Sequence, residues 1–361
     1  MWFCLRNDSD VSVKGPGRRR NKFDLMHSDL MHVLACPGCG CSLQLHIDRE
    51  VDEEVQTGTI QCAGCGAQYP IVGFVPRFVP AENYSSSFGF QWNRFRHTQL
   101  DSVTGQPITR DRFFAQSGWA PADMAGRWTL DLGCGAGRFA EVALGTGARL
   151  VAVDYSSAVD ACRQNLGPHP LLDVVQADIY RLPFRRQRFD FVYCFGVLQH
   201  TPDVHAAFAA LVEQIAPGGH VAVDLYPQLA LNIVWPKYWL RPFTKRMPAE
   251  RLFSLVSRMV DVLWPVSLAL GRVPRIGRKL RHALPIANYE GILPLTPRQL
   301  KEWAVLDSFD MLAPAHDHPQ SAATLQAWLD EARLAEIEVF RRGLVVGRGR
   351  QHASPIAAGN G

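Results

Sequence analysis

The sequence predicts an α/β fold: a doubly wound, mostly parallel sheet of seven strands, set between a small metal-stapled N-terminal domain and a helical insertion. Three observations predict it. One is the glycine-rich stretch Thr129-Leu-Asp-Leu-Gly-Cys-Gly-Ala-Gly-Arg-Phe-Ala140, another the alternation of short apolar runs with helical stretches behind it, and the third a pair of Cys-x-x-Cys knuckles separated by 22 residues.

Thr129 to Leu132 is an apolar run broken only by Asp131, as expected for a strand buried on both faces of a parallel sheet. Gly133, Gly135 and Gly137 then turn the chain into a helix and leave no side chains between backbone and ligand. That puts a cofactor against a strand end and a helix N-terminus, the usual place for adenine cofactors in doubly wound sheets. The spacing is G-x-G-x-G opened by an acid, whereas the pyrophosphate fingerprint is G-x-G-x-x-G. A nicotinamide oxidoreductase is therefore the disfavoured rival.

Arg149 to Val153 reads as the second strand, ending in Asp154, where a carboxylate can accept both hydroxyls of a ribose. Val174-Val-Gln-Ala-Asp178 is the third, and Phe189 to Phe195 the fourth, running into Gly196-Val-Leu-Gln-His-Thr-Pro-Asp203. Val204 to Ala216 is a helix stopped by Pro217-Gly-Gly219, and His220 to Leu225 is the fifth strand. The alternation implies right-handed crossovers. Ser321 caps a last helix carrying Leu325, Trp328, Leu329 and Ala332, and Ala335 to Phe340 with Leu344 to Gly347 close the sheet as an antiparallel pair.

The acid, the glycines and the three strand-end motifs together resemble class I S-adenosylmethionine-dependent methyltransferases, over residues 129–226 and 320–350. The resemblance implies a Rossmann-like sheet and S-adenosyl-L-methionine as cofactor. That molecule carries a sulfonium and an amino group but no phosphate, so an acid beside the loop is favourable. The implied cofactor residues are Asp131, Gly133, Cys134, Gly135, Gly137, Asp154, Tyr155, Asp178, Ile179 and Phe195. Among them Asp154 faces the ribose, Asp178 the adenine amino group, and Ile179 the ring.

Cys36-Pro-Gly-Cys39 and Cys62-Ala-Gly-Cys65 each put two thiolates on a tight knuckle, and two knuckles close a tetrahedral site. So short a segment buries little core, which makes a structural zinc useful. Cys41 competes as a ligand, with a less suitable spacing. With Tyr69-Pro-Ile-Val-Gly-Phe-Val-Pro76 the segment, assigned to residues 31–80, resembles the zinc-ribbon activator proteins of RNA and protein methyltransferases and the N-terminal ribbons of bacterial methyltransferases. Pro76 and Pro80 mark a linker. Residues 81–128 form an N-terminal cap, with the aromatic and basic runs Ser87 to Arg96 and Asp111 to Phe114 either closing over the site or packing on the sheet edge. Residues 1–30 read as a disordered leader without a secretory apolar run, with Met26 and Met31 as alternative starts to Met1, and 351–361 as a disordered tail.

A chain with 47% hydrophobic and 20% charged residues, and no run of about 18 apolar residues, is expected in the cytoplasm, with peripheral contact at the inner face of the membrane as an extension of that reading. Of nine cysteines, Cys134, Cys162 and Cys194 lie singly in the cofactor domain and read as packing residues rather than nucleophiles. The net charge of +4 hides a segment from Lys237 to His282 with eleven Lys or Arg against two acids, +9 locally, which leaves the rest at −5. That segment lies in an insertion, residues 227–319, expected to cover the site as a helical substrate lid. Inside it, Leu252, Leu255, Val256, Met259, Val260, Leu263 and Trp264 follow helical spacing up to Pro265. Trp235, Tyr238 and Trp239 before it, and Arg272, Arg275, Arg278, Lys279 and Arg281 after it, suit anionic lipid, phosphate or nucleic acid.

Methyl transfer is an in-line displacement at a carbon already activated by sulfur, so the protein mainly aligns the reactants and a base is needed only for some acceptors. His200 is the candidate base, with a structural histidine heading a helix as the alternative. Tyr289, Glu290, His316 and His318 are candidate substrate contacts, and His316 and His318 with a carboxylate are a less favoured metal set. The favoured acceptor is a small molecule or a lipid-linked, saccharide-bearing one. The alternatives are RNA or protein docked by the ribbon, and a non-catalytic docking protein.

Overall fold

The computed structural model describes residues 26–80, 83, 85–228, 236–281 and 283–353. Residues 1–25, Trp235, His282 and 354–361 lie outside the described residues.

Seven strands form the central sheet: β5 (Trp128–Leu132), β6 (Arg149–Asp154), β7 (Leu172–Gln176), β8 (Phe189–Phe195), β9 (Ile215–Leu225), β10 (Ala335–Arg342) and β11 (Leu344–Arg350). The order is β10-β11-β9-β8-β5-β6-β7. Strands β5 to β9 pair in parallel, and β11 joins antiparallel to both β9 and β10. Near-continuous apolar runs make this possible, because helices cover both faces: β6, β7 and β8 are buried at almost every position. On the sheet stand α6 (Arg138–Leu144), α7 (Ala158–Leu166), α8 (Val204–Val212) and α13 (Ala322–Glu331). Ser321 does cap α13, its Oγ accepting from the Thr324 N–H at 3.0 Å. Helix α8 ends earlier than its apolar pattern predicts, because Ile215 pairs with Phe189 and begins β9 ahead of a bulge.

The N-terminal segment is a four-stranded antiparallel sheet, β1 (Leu43–Val51), β2 (Glu54–Cys62), β3 (Gln68–Val72) and β4 (Val75–Pro76), preceded by α1 (Met26–Val33). Residues 26–30, expected in a disordered leader, instead open α1, because Leu30 finds a buried place. The stretch from Pro76 to Pro80 is not a free linker. Arg77 bridges to Gln176 at the edge of β7, and the Phe78 N–H donates to the Gln176 carbonyl at 2.8 Å. Leu34 likewise bridges to Phe184, and Leu30, Val33, Leu34, Val55, Ile60 and Ile71 share one apolar core with the central sheet. Arg163 clamps Glu54, and Arg77 meets Asp160 at 2.6 Å. This N-terminal sheet, the segment expected to be a zinc ribbon, thus covers the edge strand β7. At the other end Gln351, assigned to a disordered tail, donates its N–H to the Gly219 carbonyl at 2.8 Å.

Between ribbon and sheet lie α2 (Ser86–Arg94), α3 (Asp101–Thr104), α4 (Ile108–Ser117) and α5 (Pro121–Met124). The insertion carries α9 (Pro236–Thr244), α10 (Ala249–Gly271), α11 (Gly277–Arg281) and α12 (Pro297–Leu312). Helix α10 runs through Pro265 rather than stopping there. The missing N–H would have bonded the Asp261 carbonyl, and both residues are exposed, so the orphaned group is on the solvent side of the helix, where a proline costs least. At 23 residues and a mean hydropathy of 1.4, α10 is also long and apolar enough by composition to cross a bilayer, although 28% of that stretch is buried. Leu252, Val256 and Val260 pack it into a core with Ala304, Phe309 and Leu312 of α12.

Candidate active site

The glycine loop leaves β5 with Gly133, Gly135 and Gly137 at φ of 84°, 53° and 91°, a region L-residues avoid. A side chain at Gly133 would also strike Val197, 2.3 Å away. The loop lies at the C-terminal ends of β5 and β8, next to the reversal of strand order, where doubly wound sheets open a crevice. There a cavity of about 650 Å³ opens.

Its wall contains Gly133, Cys134, Gly135, Asp154, Tyr155, Ile179 and Phe195 on the sheet side, with His200 and Tyr289. Asp131, Gly137, Asp178, His316 and His318 are not among the lining residues. Asp131 is buried beside Tyr193, and burial pushes its carboxyl up to about 8. Asp178 caps a short turn, accepting from the Tyr180 N–H at 3.0 Å. Asp154 receives the Gly135 N–H at 3.0 Å, and both the N–H and the hydroxyl of Ser156, at 2.8 and 2.7 Å. Burial raises its carboxyl all the same. A carboxylate that already occupies an N–H of the loop repels a phosphate and attracts a sulfonium or an amine, so the donor set fits S-adenosylmethionine better than a dinucleotide.

His200 Nδ1 lies 3.0 Å from the His316 carbonyl. A carbonyl only accepts, so Nδ1 carries a proton, and in the neutral ring the lone pair is on Nε2, which is buried and without a partner among the described residues. The rings of Phe88 and Tyr226 hold the imidazole at 5.2 and 5.4 Å. His316 and His318 thus contribute backbone rather than a metal site. The carboxylate between them, Asp317, is engaged by Lys237 at 3.2 Å and Arg241 at 3.9 Å.

The cap and the insertion both reach the cavity, the cap through Phe88, Gln91, Trp92 and Arg112, and the insertion through Lys237, Tyr238, Tyr289, Trp303, Asp307 and Asp310. Sequence reading located these segments but missed most of the residues. The signal was Asp307 and Asp310, spaced i, i+3 on the apolar face of α12 with Trp303 and Leu300. Tyr289 donates to Asp307 at 2.5 Å, Tyr226 to Asp310 at 3.2 Å, and Gln91 to Asp310 at 3.3 Å. Burial, with the charge of Asp310, lifts Asp307 to about 7 against the Tyr289 hydrogen bond.

In the ribbon the sulfurs of Cys36, Cys39, Cys62 and Cys65 all lie within 4.8 Å of one another. The pairs Cys36–Cys65 and Cys39–Cys62 stand 3.7 and 3.4 Å apart. Tetrahedral zinc–thiolate bonds of about 2.3 Å require a sulfur spacing of about 3.8 Å, so the cluster fits that ion. The N–H groups of Gly64 and Cys65 point at the Cys62 sulfur, at 3.3 and 3.4 Å, and would support a thiolate. Cys41 is not part of this group.

Residues 130–223 match the family model described as "Methyltransferase domain". The chain is 36% identical over 104 residues to a ubiquinone biosynthesis O-methyltransferase of Thiobacillus denitrificans, covering 28% of this chain and 44% of that protein. It is 33% identical over 129 residues to a demethylmenaquinone methyltransferase of Thermobifida fusca, covering 35% and 55%. It therefore spans about half the length of the curated relatives it matches. Among solved structures, human N-acetylserotonin methyltransferase is similar at 14% identity and a TM-score of 0.42, over 76% of this chain and 61% of that one. Residues 130–223, which carry the glycine loop at the end of β5, thus match a methyltransferase domain.

Proposed function

We propose that the protein is an S-adenosylmethionine-dependent methyltransferase acting on a small-molecule or lipid-linked acceptor, with the hydroxyl of a saccharide or phenol as the group methylated. The observation that carries this reading is the shared cavity, with the glycine loop and Asp154 on one wall and His200 on another. When bound, the cofactor supplies a methyl group activated by positive sulfur. Asp154 would hold its ribose, Ile179 and Ala177 would flank its adenine, and Trp92, which stands 3.2 Å from where a Gly135 side chain would begin, would cover the loop. His200 would take the proton of an acceptor hydroxyl, because its tautomer is fixed with the lone pair on Nε2.

The names of the curated relatives, one for ubiquinone biosynthesis and one for demethylmenaquinone, support a small organic acceptor over RNA or protein. So does the lining of the cavity by cap and insertion, whose Phe88, Trp92, Tyr238 and Trp303 offer aromatic walls beside Tyr226 of the core. Asp307 and Asp310 would receive acceptor hydroxyls. The zinc held by Cys36, Cys39, Cys62 and Cys65 would be structural, stapling the ribbon onto β7.

Incubation of purified protein with radiolabelled S-adenosylmethionine and a fractionated lysate tests the assignment. Label is expected in the organic-soluble or small-molecule fraction. Label in RNA or protein, or tight NAD binding without S-adenosylmethionine binding by calorimetry, would overturn it.

A further inference from the structure

Helix α9 is inside out. Its polar residues face the protein: Arg241 donates to the carbonyls of Met311 and Pro314 at 3.1 and 2.9 Å, Thr244 donates to that of Leu312 at 2.9 Å, and Lys237 pairs with Asp317 at 3.2 Å. A cation and a hydroxyl on the last carbonyls of α12 are the favourable arrangement at a helix C-terminus. The apolar residues of α9 face outward instead, Trp239 at 65% exposure and Phe243 at 74%, with Leu240 beside them. At about 100° per residue these three share one arc, with Lys237 and Arg241 on the opposite side and Thr244 at its edge.

Helix α10 repeats the anomaly. Leu252, Val256 and Val260 bury one face, yet Leu255, Val262 and Val266, spaced i, i+7, i+11 and so nearly in line, form a second apolar stripe that is exposed. Core packing explains the first stripe and not the second. Arg251 and Arg258 are exposed on its border. Lys245, Arg246, Arg272, Arg275 and Lys279 are exposed in the same insertion, whereas of its two acids before α12's loop Asp261 is neutralised by Lys301 at 2.8 Å, and Glu250 remains. Arg281 does not belong to this basic surface, because it is buried and donates to the Glu290 carbonyl at 3.2 Å.

We propose that α9 and α10 form a docking surface for an anionic lipid bilayer. Exposed aromatics, an apolar stripe and unneutralised cations on adjoining helices are what an interfacial contact with negatively charged headgroups requires. A protein partner would need matching acids around an apolar core, and among the described residues of the two helices Glu250 is the one acid left unpaired against many cations, too little to set the register of a second copy. The helix lies along the surface rather than crossing it, since Leu252, Val256 and Val260 tie α10 to α12, and Arg251, Arg258 and Asp261 punctuate its length. Because Lys237 and Tyr238 of α9 line the cavity, docking would bring the cavity wall to the bilayer. For that purpose alone the inference rests on the lipid-linked acceptor proposed above.

Flotation of the full chain with phosphatidylcholine vesicles, with and without phosphatidylglycerol, tests it without any methyl donor. Binding to the anionic vesicles only, weakened by added salt, is expected. The double variant Trp239→Ser, Phe243→Ser should lower partitioning at least about tenfold. Arg272→Gln with Arg275→Gln should lower it by about fivefold per charge. All four side chains are exposed, so the variants should keep the parent's circular dichroism and cofactor binding. Equal binding to neutral vesicles, unchanged binding of the aromatic variant, or a dimer that dissolves in that variant while vesicles remain unbound would each overturn the proposal. Loss of methyl transfer with intact vesicle binding would instead count against the enzymatic reading alone.

Discussion

The Nδ1 atom of His200 is held 3.0 Å from the backbone carbonyl of His316, so a residue of the fourth strand's exit loop takes its tautomer from the far end of the insertion. Replacing His200 by Ala should lower turnover by about a hundredfold or more while leaving cofactor affinity unchanged, as loss of a general base does. Steady-state kinetics with calorimetry checks this. Equal loss of cofactor binding would make His200 a structural residue.

Asp154 is expected to carry cofactor affinity rather than the fold. Asp154→Asn keeps one side-chain oxygen, enough for the two Ser156 donors that share Oδ1, but sets an NH2 against the Gly135 N–H that Oδ2 accepts and removes the charge; it should weaken S-adenosylmethionine binding at least about tenfold while the chain stays folded by circular dichroism. Isothermal titration of both proteins decides between this outcome and unaltered binding.

The zinc prediction has a structural corollary. Because Leu34, Val55 and Ile60 share a core with β7 and β8, loss of the metal should be felt beyond the ribbon. Cys62→Ala with Cys65→Ala should abolish stoichiometric zinc by metal analysis and destabilise the whole chain by about 4 kcal/mol or more. Full zinc content in that variant would refute the ligand set.

Asp307 has a folded-state carboxyl raised from 3.8 to about 7. A raised acid binds its proton more tightly when folded, so its stabilisation is complete below 3.8 and is lost as pH climbs through about 7. Asp131, raised to about 8, acts in the same direction. Thermal melts across that range should show stability falling, and Asp307→Asn should flatten the fall. An unaltered profile would mean that Asp307 does not titrate there.

The sequence by itself determined the parts whose cause is local. The continuous apolar runs of the core strands, the period-3.6 pattern of α13, the positive φ required at Gly133, Gly135 and Gly137, and the two thiolate knuckles are all legible within a dozen residues, because backbone sterics and ligand spacing operate at that range. Only the tertiary structure decided what depends on distant partners. It tied the ribbon to β7 through Leu34 and Arg77, withdrew Asp131 and Asp178 from the cavity wall, and set Asp307 and Asp310 into it. It also turned α9 inside out, because the carbonyls at the end of α12 needed donors and Arg241 and Thr244 were within reach. Burial and hydrogen-bond satisfaction are sums over neighbours far apart in the chain, so spacing alone does not encode which face of a helix the protein keeps.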